Sequence, residues 1–261
     1  MSRSSVSDGA FVQLRDEILS GRLGADVPLP SERKLTEVFG VNRQAVREAM
    51  KRLDQAGLVE IQHGGTTRVR DFRRSAGLDL LPHLLMRDGE VDIAVARSVM
   101  EMRACIGPDA ARLCAIRVVP TVAERLADIV ARMAQVTNDP DDPDDLDDRV
   151  LANLGELDWE MWELIVDGAD NIAYRLAFNA LRRTASPLDE LLLPLRVGEL
   201  TNTANRRVLA AAITGGRADR AEAAARKLLT LGSSELASAL SADDRKTLRP
   251  TRRSASRSAV R

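Results

Sequence analysis

Arg43, Gln44 and Arg47 form a compact set of hydrogen-bond donors whose spacing suits the edges of nucleic-acid bases. A guanidinium gives two parallel hydrogen bonds to guanine O6 and N7, and a primary amide matches adenine N6 and N7. On a helix, Arg43 and Arg47 share one face, and Val46, Ala49 and Met50 take the opposite one. Arg33 adds a donor for a phosphate or a neighbouring base. Further along, His63 and Gly64 make a tip slim enough to approach a minor groove, and Thr67 and Arg68 suit phosphate oxygens. The plainer alternative is a solvated basic face, its arginines paired with Glu32 or Glu48.

Those donors need elements to hold them, and the flanking sequence supplies them. Residues 1–7 are serine-rich and read as disordered. A first helix is expected over Asp8–Ser20, with Phe11, Leu14, Ile18 and Leu19 on one face. Pro28 and Pro30 keep the next stretch extended. Ser31 then caps a second helix that Gly40 ends, and Asn42 caps a third that runs to Gln55 or Ala56. Leu58, Val59 and Ile61 read as a strand, His63-Gly64-Gly65 as a tight turn, and Thr66 to Val69 as the return strand. Helices with a donor-rich third member and a glycine-tipped hairpin make a winged helix-turn-helix over residues 8–70.

After a charged linker at 71–77, residues 78–240 read as helices throughout: Leu78–Met86, Val91–Arg117, Val122–Val136, Leu146–Val166, Asn171–Ala185, Leu188–Thr214 and Arg217–Leu240. The fold class is therefore mainly α, a winged helix-turn-helix followed by an all-helical bundle. The Pro/Asp-rich stretch Asn138–Asp145 reads as a solvated connector, since it lacks the glycine and closing glutamate of a calcium loop. Residues 241–261 read as a disordered basic tail.

Charge is distributed unevenly. Residues 1–74 carry thirteen Lys/Arg against ten Asp/Glu, and Arg245–Arg261 carry seven bases and no acid. Basic ends on a chain of net charge -1 favour a polyanion partner there. Cys105 and Cys114 are too far apart on one helix to bridge and read as buried thiols. No apolar run reaches the length of a membrane span, and MSRSSVSDGAF lacks a signal-peptide core, so the chain reads as soluble and cytoplasmic. Catalysis is disfavoured: neither cysteine has a histidine nearby in sequence, no GxSxG occurs, and no glycine-rich phosphate loop follows a strand. The chain is expected not to be an enzyme.

The segment LPSERKLTEVFGVNRQAVREAMKRLDQAGLVEIQHGGTTRV closely resembles the N-terminal domain of GntR-family transcription regulators. IQHGGTTRVRDF followed by SAGLDLL is similar to the fatty-acid-responsive FadR subgroup, as is LGELDWEMWELIVDGADNIAYRLAFNAL, so the likeness spans about residues 10–240. The resemblance implies that Arg33, Arg43, Gln44, Arg47, His63 and Gly64 occupy DNA-contacting positions. It implies a homodimer on a palindromic double-stranded operator, and a helical domain that binds an effector. Arg103 falls at a position facing that domain's cavity. Many relatives bind a divalent metal with one Asp and three His; here those positions are Asp158, Trp162, Arg206 and Leu228.

With two histidines in the whole chain, His63 in the wing and His83 near the linker, no metal is expected. The resemblance suggests a long-chain acyl-CoA or fatty acid as effector, and hence a role in lipid metabolism. Leu228 and Trp162 suit an apolar tenant, and Arg103 or Arg206 suits its thioester, carboxylate or phosphate. Two alternatives stay open. One is a small organic acid on Arg103 and Arg206; the other is that Trp159, Trp162, Leu228 and Leu229 simply fill the core.

Overall fold

The computed structural model describes residues 3–62, 66–87, 90–137 and 147–242, and the side chains of these except 3–7, 87 and 239–242. The chain divides into two compact units, Met1–Arg87 and Asp88–Arg261.

In the first unit, α1 (Arg3–Leu19) lies along α3 (Arg43–Gln55), and α2 (Glu32–Phe39) closes the other side. The α1 helix starts at Arg3, within the stretch expected to be disordered. The caps match the sequence expectation. The Lys34 N–H donates to Ser31 Oγ at 3.3 Å, and the Ala45 N–H donates to Asn42 Oδ1 at 2.8 Å. Gly40 ends α2 with φ at 63°, a left-handed conformation that glycine adopts without a Cβ penalty. Phe11, Leu14, Leu35, Val46, Leu53 and Leu58 share the core.

The wing pairs β1 (Val59–Glu60) with β2 (Arg68–Val69). The extended stretch held by Pro28 and Pro30 joins it as a third strand-like edge: Val69 N donates to the Val27 carbonyl at 3.0 Å, and Leu29 N to the Thr67 carbonyl at 2.9 Å. The segment read as linker carries α4 (Phe72–Ser75), whose Ser75 hydroxyl donates to the Gly57 carbonyl at 2.7 Å. Gly57 has φ +71° and would place a Cβ 2.7 Å from the Ser75 carbonyl, so only glycine fits this crossing. The sequence pattern places the start of the helical domain at Leu78. The structure groups residues up to Arg87 with the first unit, because Leu80 is buried in its core and His83 of α5 (Leu81–Leu85) packs on α1.

His83 is held there by an unprotonated ring nitrogen. Arg15 donates to Nδ1 at 3.0 Å, the Phe11 ring meets the imidazole edge-on at 5.9 Å, and the Arg52 guanidinium lies over the Phe11 ring, 4.0 Å from its centroid. Burial, then the charges of Arg15 and Arg52, lower the His83 pKa below its ordinary 6.5, against a smaller opposing pull from Asp16. The folded state therefore binds this proton less readily than the unfolded chain, so the contribution is present above 6.5 and lost as pH falls below it. Thermal unfolding of the full chain between about pH 8 and pH 5 is expected to show the first unit weakening on the acid side, and His83→Gln to flatten that dependence. An unchanged slope in His83→Gln would assign the dependence elsewhere.

The second unit is built around α8 (Asp148–Gly168), which buries Leu154, Leu157, Trp159, Met161, Trp162 and Ile165 on several sides, as an element covered nearly all round must. Around it stand α6 (Ile93–Arg117), α7 (Pro120–Thr137) and α9 (Ile172–Ala185). The single helix expected over Leu188–Thr214 is instead broken into α10 (Asp189–Leu192), a 3-10 turn over Leu193–Arg196, α11 (Val197–Thr201) and α12 (Thr203–Thr214). Pro187 and Pro194 lack the N–H a continuing helix needs, and Asn202 caps α12 by accepting from Asn205 N at 3.0 Å. A final helix, α13 (Ala218–Ala242), packs along α6. Cys114 is buried, and burial pushes its thiol up to about 11, whereas Cys105 is exposed, correcting the expectation that both are buried. No helix among the described residues is long and apolar enough to cross a membrane.

Candidate nucleic-acid interface and effector cavity

The outer face of α3 is set by what its inner face must bury. Ala45, Val46, Ala49, Met50 and Leu53 point into the core, which forces Arg43, Gln44 and Arg47 outward, and all three are exposed. The first turn of α3 holds no acid, so even with the Ala45 N–H taken by the Asn42 cap its positive dipole end favours an anion. Arg47 Nε donates to Glu32 Oε2 at 2.9 Å, one of the pairings the plainer alternative anticipates. Both side chains remain well exposed, so the pair is weak and yields readily to a phosphate or base. Because Glu32 precedes Arg33, this contact also sets the start of α2 beside the donor face of α3.

In the wing, Thr67 is half-buried, and the exposed Arg68 donates to the Asp26 carbonyl at 2.8 Å, bracing the hairpin against the extended edge. His63 and Gly64 lie outside the described residues, as do the acidic connector at 138–146 and the tail from 243 onwards.

The second unit contains a cavity with about 40 Å³ of free space between α6, α8, α9 and α13. Its walls are mainly apolar, with Met102, Trp159, Trp162, Phe178, Leu181 and Leu229 among them, and one end carries Arg103, Asp158 and Arg196. Gly107 lets Leu229 and Trp162 close in on α6, since a Cβ there would stand 2.4 Å from Leu229 Cδ1. Of the residues expected to meet an effector, Arg103, Asp158 and Trp162 border the space. Arg206 lies behind Asp158, wholly buried, and Leu228 is buried in the packing while its neighbour Leu229 borders the cavity. One step along a helix turns a side chain by about 100°, enough to exchange these roles.

The charged end is a dense network. Arg206 Nη2 donates to Asp158 Oδ1 at 2.6 Å and Nη1 to the Glu199 carbonyl at 2.9 Å. Arg196 bridges Asp158 Oδ2 at 3.2 Å and Glu199 Oε2 at 3.0 Å. Arg103 makes a two-pronged contact to the Glu199 carboxylate and lies 3.8 Å from Asp158. Burial acts to raise the Glu199 pKa, but Arg103 and Arg196 more than offset it and hold the carboxyl down to about 2. Burial likewise opposes the charge on Arg196, and Glu199 with Asp158 outweighs it, leaving the guanidinium above its ordinary value. Gly232 of α13 makes room for Glu199, because a Cβ there would stand 1.6 Å from Oε2. Arg206 Nε and Trp162 Nε1 are buried without a partner among the described residues.

Sequence reasoning missed Arg196 and Glu199. The available signal was a charged pair three residues apart inside the apolar run LLLPLRVGEL, where solvation cannot be the reason for either charge. The residues at the four positions that the resemblance links to a divalent ion do not fit one. Trp162, Arg206 and Leu228 offer no lone pair to a metal, and both Asp158 oxygens already face guanidinium groups. Among the described residues, no three His, Cys, Asp or Glu side chains gather as a metal site.

Comparison with known proteins gives two matches that tile most of the chain. Residues 7–69 match the family described as bacterial regulatory proteins, gntR family, and residues 98–231 match the FCD domain. The HTH-type transcriptional regulator Mce2R of Mycobacterium tuberculosis is 41% identical over 240 residues, covering 92% of this chain and 95% of that protein. A fatty acid metabolism regulator protein of Serratia proteamaculans is 29% identical over 167 residues, 64% of each chain. Among solved structures, Lar, which controls expression of the Listeria monocytogenes agr system, superposes with a TM-score of 0.53 at 15% identity. It covers 89% of this chain and 96% of its own, a likeness of fold.

Proposed function

The chain belongs to the GntR family of bacterial regulatory proteins, a DNA-binding transcription regulator whose N-terminal domain is followed by an FCD domain, and from that premise we propose that an acyl ligand controls its hold on DNA. The ligand is a fatty acid or its long-chain acyl-CoA thioester. It enters the cavity of the second unit and shifts the affinity of the first for a palindromic operator. The observation that carries this reading is the cavity's division into an apolar body and one guanidinium-lined end, the complement of an amphiphilic anion. Similarity to proteins named for fatty acid metabolism supports it.

On the DNA side, Arg43, Gln44 and Arg47 read base edges in the major groove, while Arg33, Thr67 and Arg68 hold phosphates. A homodimer sets two copies of α3 about one helical turn apart, roughly 34 Å. Coupling runs both ways: if ligand weakens DNA binding, DNA weakens ligand binding by the same factor.

The free space of about 40 Å³ favours a second reading, a small organic acid, because a long chain must push Phe178 and Leu181 aside. Calorimetry and thermal stabilisation across a series from acetate to oleate, with oleoyl-CoA, separate the two. An acyl tunnel gains roughly 0.8 kcal/mol per added methylene. Affinity that peaks at a short acid establishes the second reading instead. Operator affinity unchanged at saturating ligand refutes the coupling altogether.

A further inference from the structure

The residues around Asp158 already supply positive charge from the chain itself. Arg206 is 0% exposed and its two terminal nitrogens are committed, one to Asp158 Oδ1 and one to the Glu199 carbonyl. It does not border the cavity. Asp158 Oδ2 is shared by Arg196 at 3.2 Å and Arg103 at 3.8 Å. A divalent ion at this carboxylate would face three guanidinium groups with one oxygen ligand set already used, so both repulsion and coordination number oppose it.

We infer that Arg206 serves as a built-in cation for Asp158, so that the cavity takes the anionic head of its ligand on Arg103 and Arg196 without any metal ion. The inference rests on the reading that this cavity holds the effector. It adds which residues meet the head, what charge the head carries, and that no ion mediates the contact.

The charge count at the cavity wall supports a monoanion. The ionisable residues bordering it are Arg103, Arg196 and Asp158, two positive against one negative. Glu199 sits behind them at 0% exposure, and its charge is shared by the same two arginines. The other acids near this end are engaged elsewhere: Asp189 accepts from Trp159 Nε1 at 3.3 Å, and Glu235 accepts from the Glu199 backbone N–H at 3.1 Å. A planar guanidinium pairs with a carboxylate through two parallel hydrogen bonds, which neither an alcohol nor an ester can accept with full charge. Arg196 reaches the wall on the short 3-10 turn between α10 and α11. Arg103 comes from the long α6, next to the Gly107–Pro108 step, where proline leaves the Ala104 carbonyl without its helical partner.

The test uses full-length protein, with octanoate and its uncharged methyl ester as probes, read by calorimetry and by elemental analysis. Octanoate is expected to bind with the same affinity in EDTA and in added zinc, and purified protein to carry no stoichiometric divalent metal. Arg196→Gln is expected to weaken octanoate by about tenfold or more while leaving the ester unaffected. Arg206→Met, which removes the cation from Asp158, is expected to lower the stability of the second unit, visible in tryptophan fluorescence. Octanoate binding that requires zinc, or a metal co-purifying at one per chain, overturns the inference. Equal binding of acid and ester that ignores Arg196→Gln overturns it too, while leaving the apolar cavity reading intact. If neither probe binds at any concentration up to solubility, the inference and that reading fall together.

Discussion

Glu199→Gln is expected to destabilise the helical unit by about 3–5 kcal/mol, the loss typical when one partner of a buried ion network is removed. The substitution keeps volume and one carbonyl acceptor, so packing against Gly232 survives and the change isolates charge. It leaves Arg103, Arg196 and Arg206 sharing one carboxylate, Asp158, in a site where none of them reaches bulk water freely. For a unit of this size the melting temperature falls by roughly 6–20 °C. Both tryptophans of the chain, Trp159 and Trp162, lie in α8, so their fluorescence follows this unit and not the first.

The pH dependence gives an independent check. The folded Glu199 carboxyl is held down to about 2 against an ordinary 4.5, so its stabilisation is fully present above 4.5 and fades as pH falls toward 2. Wild type and Glu199→Gln should therefore differ most near neutral pH and converge in acid. Coincident melting curves at neutral pH would mean that the network contributes nothing to the fold.

The second large effect concerns DNA. Arg43→Ala is expected to weaken a selected operator by about 1–3 kcal/mol, roughly 5- to 150-fold, with little change on random duplex. Arg43 is exposed and forms no ion pair with any described residue, so its removal costs the free protein little. Arg47→Ala carries the same expectation on the operator, but here a competitor must be released first, because Glu32 holds the guanidinium at 2.9 Å. That pair is exposed and worth under about 1 kcal/mol, so Glu32→Gln should strengthen binding modestly on both kinds of DNA. Fluorescence anisotropy on sites obtained by selection from random duplexes measures all three. Equal losses on operator and random DNA would show that these arginines touch phosphates alone, and base reading would have to come from elsewhere.

Much of the first unit was legible because its signals are local. Ser31 and Asn42 are caps whose side chains satisfy backbone N–H groups three residues on, and Gly40 and Gly57 mark backbone conformations that other residues avoid. The apolar spacing of Val46, Ala49, Met50 and Leu53 decides which face of α3 is buried, and by elimination which face carries Arg43, Gln44 and Arg47. All of this is written within a few residues of each position, so a linear reading suffices.

Tertiary structure alone decided the pairing of residues 26–29 with the wing, the seat of His83 on α1, and the charge network behind the cavity. Arg103 and Glu199 are separated by 96 residues in the chain, and Asp158 and Arg206 by 48, and no periodicity links them. Their partnership follows from which helices pack around α8, and that is set by shape and burial across the whole unit. A charge in an apolar run signals that a partner exists, but only the folded core determines which one reaches it.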